Sequence, residues 1–104
     1  MQRVAFKMKL FQGSAEEYKL RHDNIWPDLV SALKTSGIRD YSIFLDEETH
    51  VLFGVLKIED ADELKRLRSL PVMQRWWGSL TGLMETNEDH SPVSIPLREL
   101  FYLP

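Results

Sequence analysis

Apolar and polar positions alternate through residues 3–10, RVAFKMKL. Val4, Phe6, Met8 and Leu10 fall on one side, with Arg3, Ala5, Lys7 and Lys9 on the other. A period of two predicts a strand with one buried face. The alternation stops before Gly13, and Ser14 with Glu17 forms the S-x-x-E pattern that opens a helix by capping its first amides. That helix carries Tyr18 and His22 and breaks near Asp23-Asn24. A second segment restarts there, with Asn24 expected as its cap and Pro27 in its first turn, where the missing N–H is tolerated. Trp26, Leu29, Val30 and Leu33 form its apolar stripe, and Gly37 is its expected stop.

Residues 38–45 (IRDYSIFL) and 50–58 (HVLFGVLKI) are β-rich runs on either side of an acidic turn, which predicts a hairpin. The second run is apolar on both faces: Val51, Phe53 and Val55 on one, Leu52, Leu56 and Ile58 on the other. Such a strand belongs at the centre of a sheet that is covered on both sides. Asp60 and Glu63 mark another helical start, with Ala61, Leu64 and Leu67 at helical spacing. Ser69 and Pro71 restart a helix through 72–84, with Val72, Trp76, Leu80 and Leu83 or Met84 along one side. Residues 85–96 read as a polar, proline-bearing loop, and LRELFYL (97–103) as a last strand. The order β-α-β-β-α-β predicts a ferredoxin-like α+β fold, an antiparallel four-stranded sheet with both helical regions on one face. No element is left to cover the other face. A second copy packed against it about a two-fold axis would do so, and a homodimer is expected.

Composition narrows the function classes. At 104 residues, 1–104 reads as one domain, and 43% hydrophobic content suffices for a packed interior. A net charge of −3 without a basic stripe argues against nucleic acid. Without cysteine there is no disulfide, thiolate metal site or thiol nucleophile. His22, His50 and His90 lack metal-ligand spacing, so no metal is expected. No apolar run approaches bilayer length and no signal core opens the chain, which reads as a cytoplasmic protein without a membrane partner.

Two short strings hold the candidate chemistry. Tyr18 and His22 are four apart and so share a helical face. Histidine is the natural proton carrier near neutrality. Taken alone, His22 also fits a cation placed at a helix C-terminus. Adjacent helical positions point about 100° apart, so Trp76 and Trp77 do not both fit one core, and one indole is expected at a boundary. Tyr41 joins Ile43 and Leu45 on one strand face. Aromatic rings beside a few polar groups suit the C–H faces of a pyranose. From the residues alone a polar-ligand pocket and plain packing both stand, with the pocket ahead.

The strings EEYKLRHDNIWPDL (16–29), YSIFLDEETHVLF (41–53), MQRWW (73–77), NEDHSPVS (87–94) and FYLP (101–104) resemble those of the L-rhamnose mutarotases. The resemblance spans the chain, and RHDNIWP together with QRWW is its specific part; KLRHD stands where RRHN is common in the family. It implies a dimeric ferredoxin-like α/β barrel that interconverts the α and β anomers of L-rhamnose with neither metal nor organic cofactor. It also implies His22 as the proton donor and Tyr18, Tyr41, Trp76 and Trp77 as sugar contacts. Opening a hemiacetal needs a proton at the ring oxygen as one leaves the anomeric hydroxyl, work that suits a group titrating near neutrality. Two other classes share this fold: cofactor-independent monooxygenases, and binding domains that would use the Trp pair as a protein contact.

Overall fold

A computed structural model describes residues 1–104. In chain order its elements are β1 (Gln2–Lys9), α1 (Ala15–Asp23), α2 (Pro27–Thr35), β2 (Ile38–Asp46), β3 (Val51–Ile58), α3 (Glu63–Arg68), α4 (Pro71–Leu80) and β4 (Ile95–Leu97). The strands form one antiparallel sheet in the order β2-β3-β1-β4, the ferredoxin-like arrangement. Each crossover is a pair of helices, the second of each pair beginning on a proline. No helix is long and apolar enough to cross a membrane.

Cross-strand partners share a face, so the register assigns the two sides. Val4 pairs with Leu56 and Met8 with Leu52, and on this side the helices pack. Met8, Leu10, Leu52, Leu56 and Ile58 join Tyr18, Leu29, Leu67, Met73, Trp76 and Leu80 in one core cluster. On the other side Phe44 pairs with Phe53 and Lys7 with Phe53 and Ile95, while Ala5 lies between Val55 and Leu97. Phe44 is 65% and Ile95 52% exposed there, leaving an apolar face open.

Ile38 and Ile43 are five positions apart and in a regular strand would point to opposite faces. Both nevertheless pack into the core. A β-bulge between Arg39 and Ser42 supplies the extra residue, with Asp40 in the left-handed region at φ 51°. Aspartate enters that region more readily than most residues. Gly37, at φ 87°, ends the second helix as its sequence position suggested.

Several boundaries differ from the sequence reading. The last strand is Ile95–Leu97, not 97–103. Its Pro96 is tolerated because β4 is an edge strand. Beyond it Leu100, Phe101 and Leu103 are each more than three-quarters exposed. The tail is held instead by Arg3, whose Nε donates to Glu99 at 3.0 Å and whose guanidinium lies 3.2 Å from the Tyr102 ring centroid. Ser14 precedes α1 in a helical rather than extended conformation (ψ 0°) and makes no side-chain cap bond, and Glu17 pairs with Arg21 rather than reaching back. Asn24 closes α1 instead of opening α2: its Nδ2 donates to the Leu20 carbonyl at 2.9 Å. Trp26 is extended (ψ 134°), since a residue before proline is pushed out of the helical region, and α2 starts at Pro27. In the same way Leu70, not Ser69, precedes α4. That helix ends at Leu80, and Met84 leaves it to bridge Leu10 on the sheet.

Candidate active site

The site is built from the last turns of α1. Helical spacing stacks the rings of Tyr18 and His22, their centroids 4.3 Å apart. His22 Nδ1 lies 2.8 Å from the Tyr18 carbonyl oxygen. A carbonyl only accepts, so Nδ1 carries the proton and Nε2 is left as the free basic nitrogen. The imidazole stands edge-on to Trp76 at 5.2 Å, and Trp76 in turn edge-on to Trp26 at 5.2 Å. Arg21 donates to the Ser79 carbonyl and ties α1 to α4. Desolvation lowers the His22 pKa below its ordinary 6.5, opposed by the carbonyl bond and by nearby Asp23. Near pH 7 the side chain is therefore mostly a neutral base.

These groups open on a cavity of about 700 Å³ between the helices and the sheet. Tyr18, His22, Tyr41, Trp76 and Trp77 all line it, so the fold brings the five sequence-predicted residues together. Trp76 is 5% exposed and shared between core and wall, whereas Trp77 is half-buried with its ring 5.7 Å from the Arg68 guanidinium. One indole thus reaches a boundary, as the helical geometry requires. Burial, and then Tyr41, push the Tyr18 phenol well above the usual tyrosine value. Tyr41 keeps 39% of its surface exposed, and packing around its phenol still pushes that group up, to about 12. Both stay protonated across the neutral range and can donate hydrogen bonds. Leu10, Ile25, Leu29, Leu52, Leu80 and Met84 give the rest of the wall its aliphatic character, and Glu16, Lys19, Asp23 and Glu47 mark a charged rim.

His50 and His90 stand outside the cavity lining, His50 half-buried at the β2–β3 turn and His90 exposed. The 87–94 loop, braced by Asn87 to the Ser91 hydroxyl at 3.0 Å, reaches the cavity through Pro92. No group of His, Asp or Glu is placed to hold a metal ion. Sequence reasoning missed Phe6, whose ring lies edge-on to Tyr41 at 6.3 Å. Its signal was Gly54 inside an apolar strand, a mark of close approach by another group.

The antiparallel ferredoxin-like sheet and the aromatic-lined cavity holding one imidazole define an α+β protein with a pocket of small-molecule size. The L-rhamnose mutarotase family model matches residues 3–103. The chain belongs to the L-rhamnose mutarotase family, isomerases that interconvert the anomers of this sugar. It is 53% identical to the L-rhamnose mutarotase of Mesorhizobium japonicum over 102 residues, covering 98% of this chain and 97% of that one. It is 52% identical to that of Bacillus subtilis over 103 residues, covering 99% of each. The crystal structure of the Formosa agariphila L-rhamnose mutarotase superposes with a TM-score of 0.93 at 44% identity, covering both chains fully. An antibiotic biosynthesis monooxygenase with a TM-score of 0.62 is 10% identical, covering 96% of this chain and 99% of that one; that likeness is of fold alone.

Proposed function

We propose that L-rhamnose binds in the cavity between α1, α4 and the sheet, and that His22 Nε2 carries the proton that opens and closes its ring. The observation behind this reading is the Nδ1 bond to the Tyr18 carbonyl, which leaves one basic nitrogen free on a residue that lines the cavity. In the ring-closed sugar O1 and O5 share the anomeric carbon, so one nitrogen serves both. Nε2 takes the proton of the O1 hydroxyl, the C1–O5 bond breaks as C1=O1 forms, and the imidazolium delivers the proton to O5. Rotation about C1–C2 presents the other carbonyl face, and the reverse steps yield the other anomer. His22 is thus both acceptor and donor, and the donor role implied by the family is the second half of its cycle. The phenols of Tyr18 and Tyr41 hydrogen-bond the oxygens where charge develops. The indole of Trp77 and the exposed edge of Trp76 hold the ring's C–H faces. The reaction is close to thermoneutral, and positioning with one acid–base group suffices.

The reading extends to a two-fold homodimer in which the open sheet face of one copy covers that of another, in a cytoplasmic setting. Exposed Phe44, Val55, Ile95 and Leu97 on one side of the sheet support it. Adding L-rhamnose to isotope-labelled protein tests the site. Resonances of His22, Tyr41 and the two indoles are expected to shift, and shifts confined to other surfaces would overturn the assignment.

A further inference from the structure

Tyr41 sits at the least regular point of the sheet, the second residue of the bulge opened by Asp40. A bulge takes a side chain out of strict alternation and re-aims it, so its direction depends on what packs against it. Phe6 presses against it edge-on, ring centroids 6.3 Å apart. Phe6 reaches that place because its cross-strand partner is Gly54. A Cβ at residue 54 would lie 2.5 Å from Phe6 Cζ and 2.6 Å from Cε2, where ordinary contact is 3.4–4 Å. Any larger residue would drive the ring about 1 Å or more out of its seat. Gly54 is also buried in the middle of β3, where glycine forfeits strand stability. The close approach of Phe6 accounts for its presence.

We propose that Phe6, seated on Gly54, is the positioning residue that holds the Tyr41 phenol in the cavity. The inference rests on the sugar site described above and names what sets its geometry. Tyr41 projects from β2, whereas the base rides on α1, and Phe6 on β1 braces the phenol across the central strand. Gly54 touches no ligand and acts through Phe6.

The experiment compares Gly54→Ala, Phe6→Leu and the double variant with the wild type. Tyrosines labelled at Cζ report each phenol's titration by NMR, and saturation transfer reports anomer exchange of L-rhamnose. In Gly54→Ala the Tyr41 titration is expected to move from about 12 toward the ordinary 10 as the phenol, on a residue already 39% exposed, loses its remaining packing. Exchange should slow by up to roughly 10²-fold, the scale of a misplacement of about 1 Å. Phe6→Leu should give the same direction without adding an atom, which keeps the test open should Gly54→Ala fail to fold. The double variant should be no worse than Phe6→Leu alone, because the added Cβ then has no ring to displace. A Tyr41 titration unchanged in both single variants would overturn the inference, as would fully additive losses in the double variant. A shifted titration with wild-type anomer exchange would support the positioning role and remove Tyr41 from the sugar site instead.

Discussion

Replacing His22 with alanine separates chemistry from packing. The truncation removes the 2.8 Å bond to the Tyr18 carbonyl and the ring contacts at 4.3 Å to Tyr18 and 5.2 Å to Trp76. The bond contributes about 1 kcal/mol, and the ring pairs about 1 kcal/mol more. Alanine's better helix propensity returns roughly 0.5 kcal/mol. A net loss of about 1–2 kcal/mol lowers Tm by roughly 4–8 °C for each kcal/mol in a domain of this size. A domain with the usual margin of about 5–15 kcal/mol stays folded through that. Losing the proton carrier should slow anomer exchange by roughly 10²–10⁴-fold, or about 3–5 kcal/mol of barrier. Saturation transfer between the anomeric protons of α- and β-L-rhamnose measures the rate, with circular dichroism following the fold. Added free imidazole should restore part of the activity, since the vacated volume adjoins a cavity of about 700 Å³. A folded His22→Ala protein that exchanges anomers at the wild-type rate would refute the reasoning and pass the role to Tyr18.

The depressed His22 pKa gives the pH profile an acid limb with its midpoint below 6.5, because protonation removes the base; a midpoint above 6.5 would contradict the desolvated setting. The same shift makes this group's contribution to stability full above 6.5. It is lost as pH falls through the folded-state value, because the unfolded chain binds the proton first, and denaturant midpoints between pH 7 and 5 check that sign. Trp76→Ala, emptying a site 5% exposed, should cost about 3–5 kcal/mol of stability. Trp77→Ala should mainly raise the KM for rhamnose, and an unchanged KM would take its indole out of the sugar contact. Light scattering should give a mass near twice 12.2 kDa, and Phe44→Asp should halve it. A well-folded wild-type monomer at micromolar concentration would refute the dimer.

Periodicity was enough to read β1, because burial acts on every second of its residues and writes itself into the sequence. The doubly apolar β3 likewise announced a sheet with a second face to cover. Local chemistry was less informative where two elements compete for one residue. Asn24 satisfies a carbonyl behind it rather than amides ahead, because Pro27 forces the preceding residue out of the helix and delays α2. The apolar run at 97–103 looked like a strand, yet only 95–97 finds a partner in β1. At the site, His22 and Tyr18 were legible as helical neighbours. Their distance to Tyr41 and the indoles depends on long-range packing that spacing does not encode. The bulge at Asp40 was invisible, since the need for it arises from two isoleucines of opposite parity that must share one core.

With His22 in its proposed role, the bond from its Nδ1 to the Tyr18 carbonyl would tie proton transfer to the integrity of a single helical turn. Helix ends open locally at free energies well below global unfolding. When this turn frays, Nδ1–H loses its acceptor and the proton can settle on Nε2, so the proposed base would fall silent while the sheet stays intact. Asn24, latched onto the Leu20 carbonyl, holds that turn shut and so guards a tautomer it never touches. Heat or mild denaturant should therefore quench turnover ahead of the global melt, in step with amide exchange near residues 22–24.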